Sequence, residues 1–317
     1  MSEKVDRKKI IKGFFVNTTL LPVLNALNNV LLGKEHQVKL ALTCLLAKGH
    51  LLIEDLPGMG KTTLSHALAN VFSMEYQRIQ FTSDMLPSDI IGSSIFQHRT
   101  ETSAAGFVLH KGPVFTQLLL ADEINRATPK TQSALLEAME ERQVSVDNQT
   151  LPLPDPFFVV AAQNPASQAG TYVLPESQLD RFLMRITLGY PSKEAEALLL
   201  KGENIKSDTL DQVLSLESFK ECQQQVCDVV TSDALIAYIM RLVQATREHE
   251  QLNCGLSPRA SLALLNAAKS WAYLEGRNHV IPDDVQSVFP HVANHRLSLD
   301  TAQPIVQGII NNVPVVV

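Results

Sequence analysis

The sequence predicts an α/β unit, a parallel sheet sandwiched by helices, followed by a smaller all-helical unit. From Leu51 to about Leu188, short apolar runs alternate with helical patterns: Leu51–Glu54, Tyr76–Phe81, Leu118–Ala121, Phe157–Ala162 and Met184–Leu188. That alternation builds βαβ crossovers and hence a parallel sheet. The runs are nearly continuous in Val, Ile, Leu and Phe, as in strands covered on both faces, and they predict five central strands. After Gly189-Tyr190-Pro191 the strand signals stop. Apolar residues then recur at helical spacing, at Leu235, Ile236, Ile239, Leu242 and Val243 and again at Leu262, Leu265, Ala268 and Leu274. The division falls between residues 1–190, which include an N-terminal helical segment, and residues 191–317.

Composition bounds what such a chain can do. Its 317 residues suit two domains at roughly 150 residues each. With 45% hydrophobic and 19% charged residues it is too apolar for disorder, although the charged start, Ser2–Lys9, is expected to fray. A formal charge of -6 repels a phosphate backbone, so nucleic acid is not expected as a partner. Cys44, Cys222, Cys227 and Cys254 show no metal-ligand spacing and read as thiols of a reducing compartment. No run approaches the ~18 apolar residues of a membrane span, and Lys12, Asn17 and Asn25 break up the stretch after Lys8-Lys9, which reads as no signal peptide. The expectation is a soluble, cytoplasmic protein without stable membrane insertion.

Directly after the strand Leu51–Glu54 comes Asp55-Leu56-Pro57-Gly58-Met59-Gly60-Lys61-Thr62, then a helix carrying Leu64, Ala67, Leu68 and Val71 on one face. A glycine loop between strand and helix is the context of a phosphate-binding loop. Gly58 and Gly60 let backbone N–H groups face phosphates, the helix N-terminus adds a positive dipole end, and Lys61 supplies charge. Thr62 places a hydroxyl on Mg2+, and Pro57, Met59 and Thr63 complete the cradle. Asp55 stands where the general pattern has its first glycine.

Leu118-Leu119-Leu120-Ala121-Asp122-Glu123 is an apolar strand ending in two acids at its carboxyl end, where open parallel sheets place ligands. Alone it reads as a solvated strand end. Downstream of a phosphate loop it assigns Asp122 to Mg2+ and Glu123 to orienting the attacking water. The strand Phe157–Gln163 ends in Asn164-Pro165, which sets a neutral amide beside the acids if the strands are neighbours. An Asn-Pro turn is the plain alternative. Ser257-Pro258-Arg259 opens a later helix, with Ser257 as N-cap. An arginine at a positive helix end gains nothing from the dipole, so an anion, nucleotide phosphate, would explain Arg259. A surface arginine is the alternative.

In this order the motifs closely resemble the MoxR group of AAA+ ATPases over nearly the whole chain. The most specific stretches are Leu-Pro-Gly-Met-Gly-Lys-Thr (56–62), Leu-Leu-Ala-Asp-Glu-Ile-Asn-Arg-Ala (119–127), Leu-Pro-Glu-Ser-Gln-Leu-Asp-Arg-Phe (174–182) and Ser-Pro-Arg-Ala (257–260). The resemblance implies an AAA+ fold binding ATP or ADP with Mg2+, a ring oligomer, usually a hexamer, and a helical lid closing on the nucleotide. It also implies a chaperone-like task in maturing a protein complex or inserting a metal cofactor. The client is a separate protein, as is a partner carrying a von Willebrand factor A domain. By position Arg181 resembles the arginine finger given to a neighbour, with Arg126 second. Gln143–Leu153, turning at Asp147-Asn148, resembles the family's hairpin, and Ile91–Val114 its insertion within the second helix. Gly33, in Leu32-Gly33-Lys34, lies where the family contacts adenine, and Lys34 replaces the usual Gln.

Three further signals carry less. His291 and His295 have metal-ligand spacing, but Val292 stands where a zinc protease needs Glu, so they are read as one face of a helix. Asn17-Thr18-Thr19 and Asn148-Gln149-Thr150 match the glycosylation pattern by chance. Other functions also fit the motifs. A nucleotide-switched binding module could do without Glu123, and a DNA motor would want cations in 144–153, which contains no Lys or Arg. Magnesium-chelatase subunits share the architecture, so a metal-insertion motor is the alternative remodeller.

Overall fold

The computed structural model describes residues 17–97, 106–147, 149–164, 170–202, 207–297 and 302–315, with short pieces at 10–11 and 14–15. The expectations for Ser2–Lys9, Asn148 and Pro165 lie outside the described residues.

Five strands form the central sheet: β1 (Leu51–Glu54), β2 (Tyr76–Gln80), β3 (Leu118–Asp122), β4 (Phe158–Gln163) and β5 (Met184–Ile186). They lie in the order β5-β1-β4-β3-β2, and every neighbouring pair is parallel. Helices precede and separate them: α1 (Leu21–Val30), α2 (Glu35–Leu46), α3 (Lys61–Val71) and α4 (Pro129–Glu141).

Alternate residues along each strand serve opposite faces. Leu51, Ile53, Leu118, Leu120, Phe158 and Val160 pack with Leu27 of α1, Leu45 of α2 and Leu68 of α3. Leu52, Leu119, Ala121, Val159 and Ala161 pack with Leu135, Leu136 and Met139 of α4. The Tyr76 run departs from the expectation of cover on both faces. β2 is an edge strand in which only Ile79 is buried, with Tyr76 partly packed on the first core, so Gln77, Arg78 and Gln80 are left for polar work.

From Ser192 onward the regular structure among the described residues consists of helices and one isolated bridge, Val230 with His279, the longer helices being α5 (Lys193–Leu200), α6 (Leu216–Cys227), α7 (Asp233–Arg247), α8 (Pro258–Leu274), α9 (Pro282–Ala293) and α10 (Ala302–Asn312). Phe219, Tyr238, Leu242, Leu264 and Phe289 extend the first core without a break, and the Phe72 and Phe219 rings lie 4.4 Å apart across the junction. Of the apolar positions expected on α8, Ala268 and Leu274 are buried and Leu265 packs against the core, and only Leu262 needs correction. Leu262 is 64% exposed, because small residues, Ala260, Ala263, Ala267 and Ala268, set the packed face and let the helix approach closely.

Two antiparallel ribbons leave the sheet. Gly92–Gln97 pairs with Gly106–Lys111 after a helical turn at Pro87–Ile91, and Gln143–Val146 pairs with Gln149–Pro152 after α4. The chain runs from β1 to the far edge at β2 and from β4 to the other edge at β5. Strands β1 and β4 therefore flank the point where crossovers diverge, and a crevice opens there beyond the carboxyl ends.

Candidate nucleotide site

Everything at the carboxyl end is anchored by the turn out of β1. The amide of Asp55 donates to Gln163 O (3.1 Å). Its buried carboxylate accepts from Leu56 N (2.8 Å) and from Gly189 N (2.6 Å). The aspartate at the first loop position thus ties the loop to the linker after β5, a contact that glycine could not make. Gly58 and Gly60 have φ of +82° and +94°, the left-handed region that favours glycine, and Gly60 caps α3.

Lys61 begins α3. Its Nζ donates to Asp55 O (2.6 Å), Leu56 O (3.3 Å) and Asn164 Oδ1 (3.1 Å). Burial lowers its pKa from the ordinary lysine value, opposed by the carboxylates of Asp122, Asp55 and Glu123. A cavity of about 360 Å³ opens beside it, lined by Pro57, Gly58, Gly60, Lys61, Thr62 and Thr63 on the loop side. Arg78, Gln80, Asp122, Glu123 and Asn164 form the facing wall. Met59 turns away and packs against the core.

Asp122 closes β3 in register with Gln80. Glu123 follows at φ +56°, a conformation that costs a non-glycine residue about 1 kcal/mol and sharply redirects the chain after the strand. Each acid already meets an arginine. Arg78 Nη2 donates to Asp122 Oδ2 (2.7 Å), and Arg126 Nη1 donates to Glu123 Oε2 (3.0 Å). Arg78 was not singled out in the sequence, because Tyr76–Phe81 reads as an apolar strand. The signal that could have found it is a cation inside a run flanked by Gln77 and Gln80.

This donor set fits a phosphate chain and a hard divalent cation. Left-handed glycines and a helix N-terminus suit anionic oxygen, while the Thr62 hydroxyl and Asp122 carboxylate are oxygen ligands of the Mg2+ type. The guanidinium on Asp122 shows that this carboxylate already holds a cation.

Arg181 and Arg259 are elsewhere. His50 immediately precedes β1. Its backbone carbonyl accepts from Leu183 N (2.8 Å), its Nε2 lies 3.2 Å from Met139 O, and Arg142 Nη2 donates to Lys48 O (2.7 Å). Arg181 and Glu140, next to Leu183 and Met139, therefore occupy the amino end of the sheet, opposite Lys61. There Arg181 Nε lies 3.2 Å from Glu140 Oε2, and Arg259 Nη2 pairs with Glu140 Oε1. Ser257 accepts from Ala260 N as the cap of α8 and donates to Asp180 Oδ2 (3.2 Å). Neither arginine is among the residues that line the cavity of its own chain.

Gly33 (φ +71°) lies against α5, where a Cβ would come within 2.9 Å of Ala195 Cβ. Lys34 donates to the carbonyls of Leu188 (2.8 Å), Gly189 (2.7 Å) and Tyr190 (2.7 Å). It caps the end of β5 and, with Asp55, fixes the linker from both sides.

The profile of the ATPase family associated with various cellular activities matches residues 50–184, and an AAA lid profile matches residues 244–312. The chain is 48% identical to the uncharacterized protein YeaC of Bacillus subtilis, across 86% of this chain and 85% of that one. It is 42% identical to chaperone MoxR1 of Mycobacterium tuberculosis, across 89% and 76%. The chain belongs to the MoxR family of AAA+ ATPases. A crystal structure from Cytophaga hutchinsonii, 35% identical, superposes with a TM-score of 0.84 over 93% of this chain and 94% of that one.

Residues outside these clusters have structural partners in this MoxR-family chain. Helix α9 ends at Ala293, so His291 and His295 do not share one helical face. His291 Nδ1 lies 3.2 Å from Arg185 O. His295 Nε2 lies 3.1 Å from Phe182 O and 3.0 Å from Arg296 Nη1, and burial holds its pKa well below the ordinary histidine value. Among the described residues no helix is long and apolar enough to cross a membrane.

Proposed function

We propose that this chain hydrolyses ATP to ADP and phosphate with Mg2+ and uses the cycle to remodel a separate protein client. The observation that carries the reading is the hydrogen bond from Lys61 to Asn164 in a cavity that also holds Asp122 and Glu123. It joins the phosphate loop, the acid pair and the neighbouring strand in one site.

In this reading the loop amides and Lys61 hold the phosphates, and Thr62 with Asp122 holds Mg2+. The metal, when bound, neutralises charge on the phosphate oxygens. Glu123 orients and polarises the attacking water once released from Arg126, and Asn164 exchanges its bond with Lys61 for one to the γ-phosphate or the water. Gly33 meets the adenine through backbone.

Arg181 and Arg259 are assigned to the site of a neighbouring subunit. Support comes from the sheet itself: its strands separate them from Lys61 of the same chain, so if these two arginines touch phosphate it is that of another chain. A closed ring follows, with six subunits as the family resemblance implies, and the von Willebrand factor A domain protein is a separate partner. Nucleic acid is not among the proposed partners, given the net charge of -6. Phosphate release by the purified chain with and without Mg2+ tests the activity, and stimulation by a client trapped on Glu123→Gln tests the task. ATP-dependent client binding with no Mg2+-dependent turnover would favour the nucleotide-switched module.

A further inference from the structure

The two arginines share a single carboxylate. We propose that Glu140 is the positioning residue that presents Arg181 and Arg259 together, as one paired cationic surface, to the neighbouring subunit's nucleotide. This deepens the assignment of both arginines to a neighbouring site and rests on it.

Glu140 sits near the end of α4, Arg181 follows the helical turn Glu176–Leu179, and Arg259 lies in the first turn of α8. Each carboxylate oxygen serves one arginine, Oε2 facing Arg181 and Oε1 pairing with Arg259. Two guanidinium groups this close repel each other unless an anion lies between them. Arg181 Nε faces Oε2 at 3.2 Å without completing a hydrogen bond, so Glu140 holds this guanidinium by charge. The three side chains are partly exposed, at 32% for Glu140, 29% for Arg181 and 49% for Arg259, so another chain can reach them.

The backbones beneath are held without Glu140. Arg296, buried, donates through Nε to Asp180 Oδ1 (2.7 Å), through Nη2 to Phe182 O (2.6 Å) and through Nη1 to Leu183 O (3.1 Å). Asp180 also accepts from Ser257, next to the α8 turn that carries Arg259. The frame is set by Arg296 and Asp180, and what remains for Glu140 is the direction of the two side chains. Fixing flexible arginines before the reaction removes an ordering cost that would otherwise fall in the transition state. One carboxylate against two guanidiniums still leaves a net positive charge for the phosphates.

The test is Glu140→Gln, which keeps shape and removes charge, in the full-length assembled protein. Expected are an ATP affinity within about twofold of the parent, an unchanged KM and a kcat lower by about tenfold. In an Arg181→Ala/Arg259→Ala background Glu140→Gln should lower kcat no further, because both side chains it positions are gone. Mixing Glu140→Gln subunits with Lys61→Ala subunits should restore turnover, since an intact site of the first then meets intact arginines of the second. Parent-like kcat in Glu140→Gln, with Arg181→Ala inactive, overturns the positioning role and leaves the arginine assignment standing. Parent-like kcat in Arg181→Ala sinks the assignment itself. A fall in melting temperature together with lost ATP binding marks Glu140 as a brace and overturns the proposal. Glu140→Asp is the second variant, which keeps the charge on a shorter stem. Turnover between those of the parent and Glu140→Gln supports positioning, and turnover at or below that of Glu140→Gln opposes it.

Discussion

The two ends of the sheet are built from different kinds of sequence. At the carboxyl end, residues 55–63 and 122–123 supply most of a cavity from two contiguous stretches, each following a strand. At the amino end Glu140, Arg181, Arg259 and Arg296 come singly from four places and meet only through the fold. A contiguous site carries its own spacing and can be recognised in the chain. A dispersed one cannot, because each member alone is an ordinary charged residue.

The comparison is broken most directly at Lys61. Its ammonium is held in the cavity wall by two backbone carbonyls and Asn164, so Lys61→Ala removes the loop's cation without removing an apolar contact of the core. Nucleotide affinity should fall by about 10²-fold or more, the range expected when a charged, partly desolvated contact is lost, with the circular dichroism spectrum unchanged. Parent-like affinity by titration calorimetry would rule out this cavity as the nucleotide site.

Arg181→Ala tests the other end. An arginine that acts on the transition state of phosphoryl transfer is worth ~10³ or more in rate and much less in ground-state affinity. ATP affinity should stay within a few fold while turnover drops by that factor. Mixing with Lys61→Ala subunits should bring turnover back. If subunits exchange and activity stays at background, Arg181 acts within its own chain or only holds the interface, and Arg126 becomes the finger candidate, although its guanidinium is already committed to Glu123.

Much of the fold was legible because burial leaves a period. The apolar runs located all five strands, and Leu64, Ala67, Leu68 and Val71 marked the buried face of α3. Two local failures have physical causes. The Tyr76 run was read as covered on both faces, yet it is an edge strand, and that error concealed Arg78. On α8 the period misleads at Leu262, which is exposed while Ala260, Ala263 and Leu264 beside it are buried. Glu140 lay beyond sequence reasoning altogether, since nothing within α4 says that its partners are arginines from two other elements.

Acid should loosen the amino end. His50 is fully buried between Val159 N, which donates to its Nδ1 (3.0 Å), and Met139 O, and burial lowers its pKa to about 4. Burial also lowers His291 to about 4 and holds His295 well below its ordinary value. These folded pKa values are depressed, so the unfolded chain binds more protons in this range. Stability is then fully present above about pH 6.5 and is lost as pH falls toward 4. A shift of the size seen at His50 is worth about 3 kcal/mol. Urea midpoints should therefore decline steadily from pH 6.5 to pH 4.5. Equal midpoints at pH 7 and pH 5 would show that these rings are not held neutral.

The smallest effect expected is at Arg78, and it separates two uses of an arginine–carboxylate contact. The pair of Glu140 with Arg181 and Arg259 is proposed to persist through the cycle, whereas the bond from Arg78 to Asp122 must break if Asp122 is to take Mg2+. Arg78 is 46% exposed and Asp122 13%, and a pair with one partner open to water is worth about 1 kcal/mol. The cation that displaces it meets an obstacle of that size and no more. Arg78→Ala should therefore lower the Mg2+ concentration giving half-maximal nucleotide binding by about twofold to fivefold, read by fluorescence of a labelled nucleotide. Arg78→Lys, which can still reach Asp122 as a point charge, should fall between the two. A shift in the opposite direction, with Arg78→Ala needing more Mg2+, would mean that Arg78 helps to hold the metal–nucleotide complex. It would then count with Lys61 among the cations that bind phosphate in the cavity.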